Sequence, residues 1–159
     1  MLIKTLLAAS LLTVVAAIMP VQSHAGQDSN AKRFTELVDT VFNRGDIAAV
    51  DQYFQPTLIE HAPWPGQTAD VAGFKAGLAG MRKSFPDLRV TVERTVSQDD
   101  LLVVHMRMSG SQLGEFMGAP ASGKTFNIEV IDIVRIADGR IAEHWGVFDS
   151  ATMAAQLGL

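Results

Sequence analysis

The 159-residue chain is acidic, with 13 Lys and Arg against 17 Asp and Glu, and carries no cysteine. Its formal net charge of −4 gives no electrostatic footprint for nucleic acid or for an anionic membrane surface. Without cysteine, thiol catalysis, cysteine-ligated zinc, iron–sulfur clusters and disulfides are excluded.

Met1-Leu-Ile-Lys4 is a short basic start, and Thr5 to Met19 is almost entirely apolar. Pro20 breaks that run, and Ser23-His24-Ala25 places small residues at the two positions a signal peptidase reads. Residues 1–25 are therefore expected to be a signal peptide. The apolar run of about fifteen residues is short for a bilayer span of about twenty, and no cysteine follows it for lipid attachment. Removal of the first 25 of the 159 residues leaves 134, and loss of Lys4 takes the charge from −4 to −5. Residues 26–159 suit one compact domain, periplasmic or secreted, with no membrane contact after cleavage.

Gly26 to Asn30 reads as a frayed lead-in. Phe34, Leu37, Val38, Val41 and Phe42 then share one helical face, closed by Asn43-Arg44-Gly45. Asp46 caps a shorter second helix carrying Ile47, Val50 and Phe54, and Pro56 lies beyond it. Thr57 to Ala62 is a short strand, followed by the stiff loop Pro63-Trp64-Pro65-Gly66. A third helix is expected from about Asp70 to Phe85. Its Gly73, Gly77 and Gly80 each cost about 1 kcal/mol against alanine, which suggests close packing on a sheet.

From Leu88 the period changes to two. Leu88, Val90, Val92 and Val96 form a half-buried strand, and Gln98-Asp99-Asp100 turns the chain into Leu101 to Ser109. That strand is apolar on both faces, with His105 in line with Leu101 and Val103. Gly110 to Thr125 is a glycine-punctuated connection, Phe126 to Asp149 is a hairpin, and Ala151 to Leu159 is a helical tail. Helices followed by antiparallel strands read as α+β, with the helices on one face of the sheet.

The hairpin holds the anomaly. Phe126, Ile128, Val130, Val134 and Ile136 alternate with Asp132 in the middle of their row, a single acid on an apolar face. Asp138-Gly139 makes the turn in one of two ways. A two-residue loop pairs Ala137 with Arg140 and sets Asp132 opposite Trp145; a three-residue loop with Gly139 as bulge residue sets Asp132 opposite His144.

Gly118-Ala-Pro-Ala-Ser-Gly123-Lys124-Thr125 fits the phosphate-loop pattern, but the stretch from Phe126 to Ile136 is strand-patterned, so a hairpin tip is expected. His61, His105 and His144 show no H-x-H or H-E-x-x-H spacing, so neither metal nor cofactor is expected. No G-x-S-x-G stretch offers a serine nucleophile.

Three stretches together resemble the SnoaL-like polyketide cyclase (ester cyclase) group. They are Phe85-Pro-Asp-Leu88, Gly114-Glu-Phe-Met-Gly-Ala-Pro120 with Ser122-Gly-Lys124, and Ile133 to Ile141 with Glu143-His-Trp145. The resemblance implies the cone-shaped nuclear transport factor 2-like barrel, three N-terminal helices packed on a curved, mainly antiparallel sheet around a deep apolar pocket. In the cyclases an aspartate and a histidine on the last two strands drive an aldol closure. Aligned on the Asp-Gly turn, the family's histidine falls on Asp132 and its acid–base aspartate on Gly146. That alignment puts positions 132 and 146 on one face and favours the three-residue loop.

The expected function is acid–base chemistry on a small, apolar, carbonyl-bearing molecule, with Asp132 as general base and His144 as orienting partner or proton donor. His61, Trp64, His105 and Phe116 are the candidate substrate-binding residues. Two rival readings remain: a binding protein of the same fold, and a dimer, joined through the sheet, whose pocket is vestigial.

Overall fold

The computed structural model describes residues 24–159, with side chains from residue 29 onward. Apart from His24 and Ala25, the expected signal peptide lies outside the described residues. Helix α1 spans His24–Leu37 and runs on as a π-helical stretch, Val38–Asn43. The expected lead-in at 26–30 is thus helical, since each residue added to a formed helix gains a hydrogen bond without a new nucleation cost. Phe34, Leu37, Val38, Val41 and Phe42 are all buried, as their spacing requires. Asn43 ends the stretch by pairing its side chain with both backbone groups of Val90, at 2.8 and 3.0 Å.

A 3₁₀ turn, Ile47–Ala49, is capped by the Asp46 carboxylate and leads into α2, Val50–Tyr53. Strand β1, Phe54–Glu60, then starts three residues earlier than the sequence suggests and includes Pro56. Proline is tolerated because β1 is an edge strand, and its pairing is irregular between Phe54 and Ile59. Helix α3 covers Val71–Ser84, with Asp70 as N-cap accepting from Gly73 N–H at 2.8 Å. Strands β2 (Arg89–Gln98), β3 (Leu101–Ser111), β4 (Thr125–Ala137) and β5 (Arg140–Phe148) follow, and α4 closes the chain at Ser150–Leu157.

The sheet order is β1-β5-β4-β3-β2, with β1 parallel to β5 and every other pair antiparallel. Leu102, Val104, Met106, Phe126, Ile128, Val130 and Val134 face inward and are buried with the helices' apolar faces. Each such side chain, fully buried, contributes about 1.5–3 kcal/mol. The other face of the sheet leaves Ile59, Val96, Ile131 and Val147 exposed. No helix among the described residues is long and apolar enough to cross a membrane.

The β4–β5 turn corrects the expected register. Asp138 and Gly139 both have positive φ, 52° and 70°, and Ala137 pairs with Arg140, so the loop has two residues. Ile136 pairs with Ile141 but Arg135 pairs with Glu143, leaving Ala142 as an extra residue on β5. The bulge lies inside the strand rather than at the turn. Asp132 therefore stands opposite Gly146, and His144 opposite Val134. The slip of one residue restores the parity of the three-residue loop, so Asp132 and His144 still share the inner face.

Candidate active site

Between α3, the inner face of the sheet and two flanking loops lies a cavity of about 530 Å³. Phe42, Phe74, Met81, Met106, Met108 and Val130 supply much of its apolar wall. Its polar floor comes from three strands: Glu60 at the end of β1, Asp132 in β4 and His144 in β5.

These three side chains form a chain of contacts. His144 Nδ1 donates to Glu60 Oε2 at 2.6 Å, and His144 Nε2 lies 3.3 Å from Asp132 Oδ2. Glu60 is held in turn by Ala62 N–H, which donates to its other oxygen, Oε1, at 2.9 Å. The parallel pairing of Glu60 with His144 sets the first contact. The second is diagonal, because Asp132 pairs with Gly146, two residues beyond His144. The edge of the Phe74 ring stands against the imidazole, with centroids 6.2 Å apart.

Burial alone would push the His144 pKa down. Hydrogen bonding to Asp132, then to Glu60, and the charges of both carboxylates overcome that penalty and raise it from 6.5 to about 10. At neutral pH His144 is an imidazolium between two acids. Both Glu60 oxygens are engaged, whereas Asp132 meets His144 through Oδ2 and has Oδ1 beside Gly146.

The candidate residues separate by strand parity and loop position. Asp132 and His144 meet on the cavity floor, and Trp64 and Phe116 line its walls. Trp64 packs against the backbone of α3 at Gly77, where an added Cβ would fall 2.1 Å from the indole. The close approach that α3 glycines allow is thus to this loop, not to the sheet. Phe116 sits in the β3–β4 connection, which is tied to the end of α3 by the Ser84 hydroxyl donating to Glu115 O at 2.5 Å and packs edge-on against Phe85. That connection leads into a strand, not a helix, as expected for a hairpin tip at Lys124.

His61 and His105 do not belong to the cavity. Both lie on the outer face, because each follows or precedes by one residue a side chain that points inward. His61 stacks on Trp145 at 4.4 Å and contacts Glu143 Oε2 at 3.0 Å; His105 contacts Arg94 and Glu129. The residue missed in the sequence is Glu60. Its signal was present: Leu58 and Glu60 share one face of β1, and an acid in line with a buried apolar residue repeats the anomaly at Asp132. Among the described residues, no cluster of three or more His, Asp or Glu side chains is arranged to hold a metal ion.

Comparison with known proteins agrees with this architecture. A family model described as SnoaL-like polyketide cyclase matches residues 32–157. Aklanonic acid methyl ester cyclase of Streptomyces peucetius is 27% identical over 108 residues, covering 67% of this chain and 72% of the relative. Nogalonic acid methyl ester cyclase of Streptomyces nogalater is 26% identical over 125 residues, covering 75% and 90%. Among solved structures, TsrD from Streptomyces laurentii superposes with a TM-score of 0.71 at 30% identity, covering 86% of this chain and 97% of its own. IdmH from Streptomyces antibioticus gives 0.73 at 30%, covering 82% and 99%. The chain, with its helices packed on a mainly antiparallel five-stranded sheet, belongs to the SnoaL-like polyketide cyclase family.

Proposed function

We propose that this protein is an exported enzyme that removes a proton next to a carbonyl group of an apolar compound held in the cavity. The observation that carries the reading is the Glu60–His144–Asp132 chain at the cavity floor. Asp132 Oδ1 takes the proton, and the electron pair of the broken C–H bond moves toward the carbonyl oxygen. The His144 imidazolium faces that growing negative charge with Nε2–H, and Glu60 fixes the orientation of the ring. The resulting enolate can close on a second carbonyl, take its proton back at another position, or expel a leaving group. Family membership favours the first course. The basic start and apolar run of residues 1–25 support export.

The second reading is a carrier of the same fold, favoured by Gly146, which pairs with Asp132 and offers no second acid there. One experiment separates the two. A carbonyl compound carried by the protein from its native source, identified by mass spectrometry, is presented to the wild type and to Asp132→Asn. Conversion by the wild type and binding without conversion by the variant is the expected result, with a rate loss of about 10²–10⁴. Equal conversion by both removes Asp132 from the chemistry, and binding without conversion by either selects the carrier. Sequencing of the mature N-terminus tests export separately: Gly26 is expected, and an intact Met1 refutes it.

A further inference from the structure

The charges that line the cavity are unevenly matched. Three carboxylates border it, Glu60, Asp132 and Glu115, and among the described residues neither Lys nor Arg does. The cationic group there is His144, already held between Glu60 at 2.6 Å and Asp132 at 3.3 Å. Three acids and one imidazolium leave the lining net negative, and the sign is the same whether or not His144 carries its proton. The basic residues of α3 do not redress the balance. Lys75 bonds Asp51, Arg82 bonds the Phe42 carbonyl, and Lys83 stands outside the lining.

Glu115 differs from the two acids of the floor. It is exposed, so it stands at the open side of the cavity, and its carboxylate has no hydrogen bond or ion pair with another described residue. Its backbone, in contrast, is fixed. The Ser84 hydroxyl donates to Glu115 O at 2.5 Å, and the Leu113 and Gly114 N–H groups both donate to Ser84 O at 3.0 Å. Gly114 packs so tightly on the end of α3 that an added Cβ would fall 2.4 Å from Lys83 O. Trp64, Phe74, Phe116 and Phe148 bring aromatic rings to the same lining. A cation is attracted to such a ring face, whereas an anion entering this space meets like charge in surroundings that screen it less than water does.

We propose that the cavity takes an apolar compound bearing a protonated amine, that Glu115 holds the ammonium group at the mouth, and that carboxylates are turned away. The inference rests on the cavity as the ligand site, which the enzyme and carrier readings above share, and adds the charge of the ligand. An ammonium group held at the mouth leaves the apolar body, with its carbonyl, for the floor where Asp132 and His144 stand. Glu115 is thus a specificity-determining residue that acts through an unpaired charge on a fixed loop.

The test is calorimetric titration at pH 7 with three probes on one naphthalene frame: 1-(2-naphthyl)ethylamine (a cation), 2-acetonaphthone (neutral) and 2-naphthoate (an anion). The expected order of affinity is amine, then ketone, then carboxylate, with the amine ahead of the carboxylate by at least about tenfold at low salt and by less at high salt. Glu115→Gln, an exposed change that should melt with the wild type, is expected to weaken the amine by about two- to fivefold and to leave the ketone unchanged. A carboxylate bound as tightly as the amine, or an amine affinity that Glu115→Gln does not lower, overturns the inference. Binding of none of the three at millimolar concentration overturns it as well. Binding is read here without turnover, so the two proposals fail separately. Conversion that depends on Asp132, without the charge order, leaves the proton-abstraction reading standing and removes this one; the charge order without conversion does the reverse.

Discussion

The two faces of the β1–β5 pair carry the same chemistry in opposite settings. The dipeptide Glu-His occurs at the end of β1, as Glu60-His61, and within β5, as Glu143-His144. The strands run parallel with Glu60 beside His144, so one Glu–His pair forms on each face. Inside, Glu60 and His144 are bonded at 2.6 Å with side chains 4% and 11% exposed; outside, His61 and Glu143 are bonded at 3.0 Å with 38% and 25% exposed. The inner pair adds a second acid, Asp132, and the outer one adds Arg135, which bridges Glu143 and Asp100.

The contrast shows what burial does to one motif. On the inner face, two carboxylates around a buried imidazole raise its pKa to about 10. On the outer face, the pKa of Glu143 is lowered. The His61 hydrogen bond, with Arg135 beside it, holds Glu143 below the ordinary carboxylate range, and water screens the whole arrangement. Identical residue types thus become a buried imidazolium between acids in the cavity and a solvated surface network outside it.

Breaking the inner pair should have the largest effect. Glu60→Gln removes one of the charges that hold His144 protonated, and should cost roughly 3–5 kcal/mol of stability at neutral pH. The His144 ring proton signal in NMR should then titrate well below pH 10. Glu143→Gln should leave both the His144 titration and the unfolding midpoint nearly unchanged. Equal effects of the two substitutions would erase the distinction between the faces.

The pH dependence sharpens the same comparison. His144 binds its proton more tightly folded, with a pKa of about 10 against 6.5 unfolded. Its contribution is therefore complete below pH 6.5, declines as pH rises, and is gone above pH 10. Across that window it should amount to at most about 5 kcal/mol. Denaturant unfolding from about pH 6 to about pH 10.5 should show the decline in the wild type and a flatter profile in His144→Gln. A wild-type profile as flat as that of the variant would mean that the two carboxylates do not hold the inner imidazole protonated.

Gly77→Ala probes the cavity wall instead of its floor. The added methyl group meets Trp64 at 2.1 Å, so the loop must move, at a cost of about 1–3 kcal/mol and with altered indole fluorescence. The smallest effect is expected away from both faces. Lys124→Ala, in the loop that resembles a phosphate-binding motif, should change stability by no more than about 0.5 kcal/mol. Neither form should bind ATP in calorimetry.

The sequence by itself determined the α+β class, the apolar face of α1, the strand alternation from Leu88 onward, and the inward position of Asp132. Each follows from local periodicity, which a single chain segment displays without reference to any other. What only the tertiary structure decided were the relations between segments. The β4–β5 register turned on an extra residue at Ala142, which no turn propensity announces, and both loops weighed from the sequence missed the pairing with Gly146. In one dimension His61, three residues before Trp64, stands out more than its neighbour Glu60. Parallel pairing with β5 instead turned Glu60 into the cavity and His61 onto Trp145. The size of the cavity, and the meeting of Glu60, His144 and Asp132 on its floor, exist only where strands distant in sequence come together.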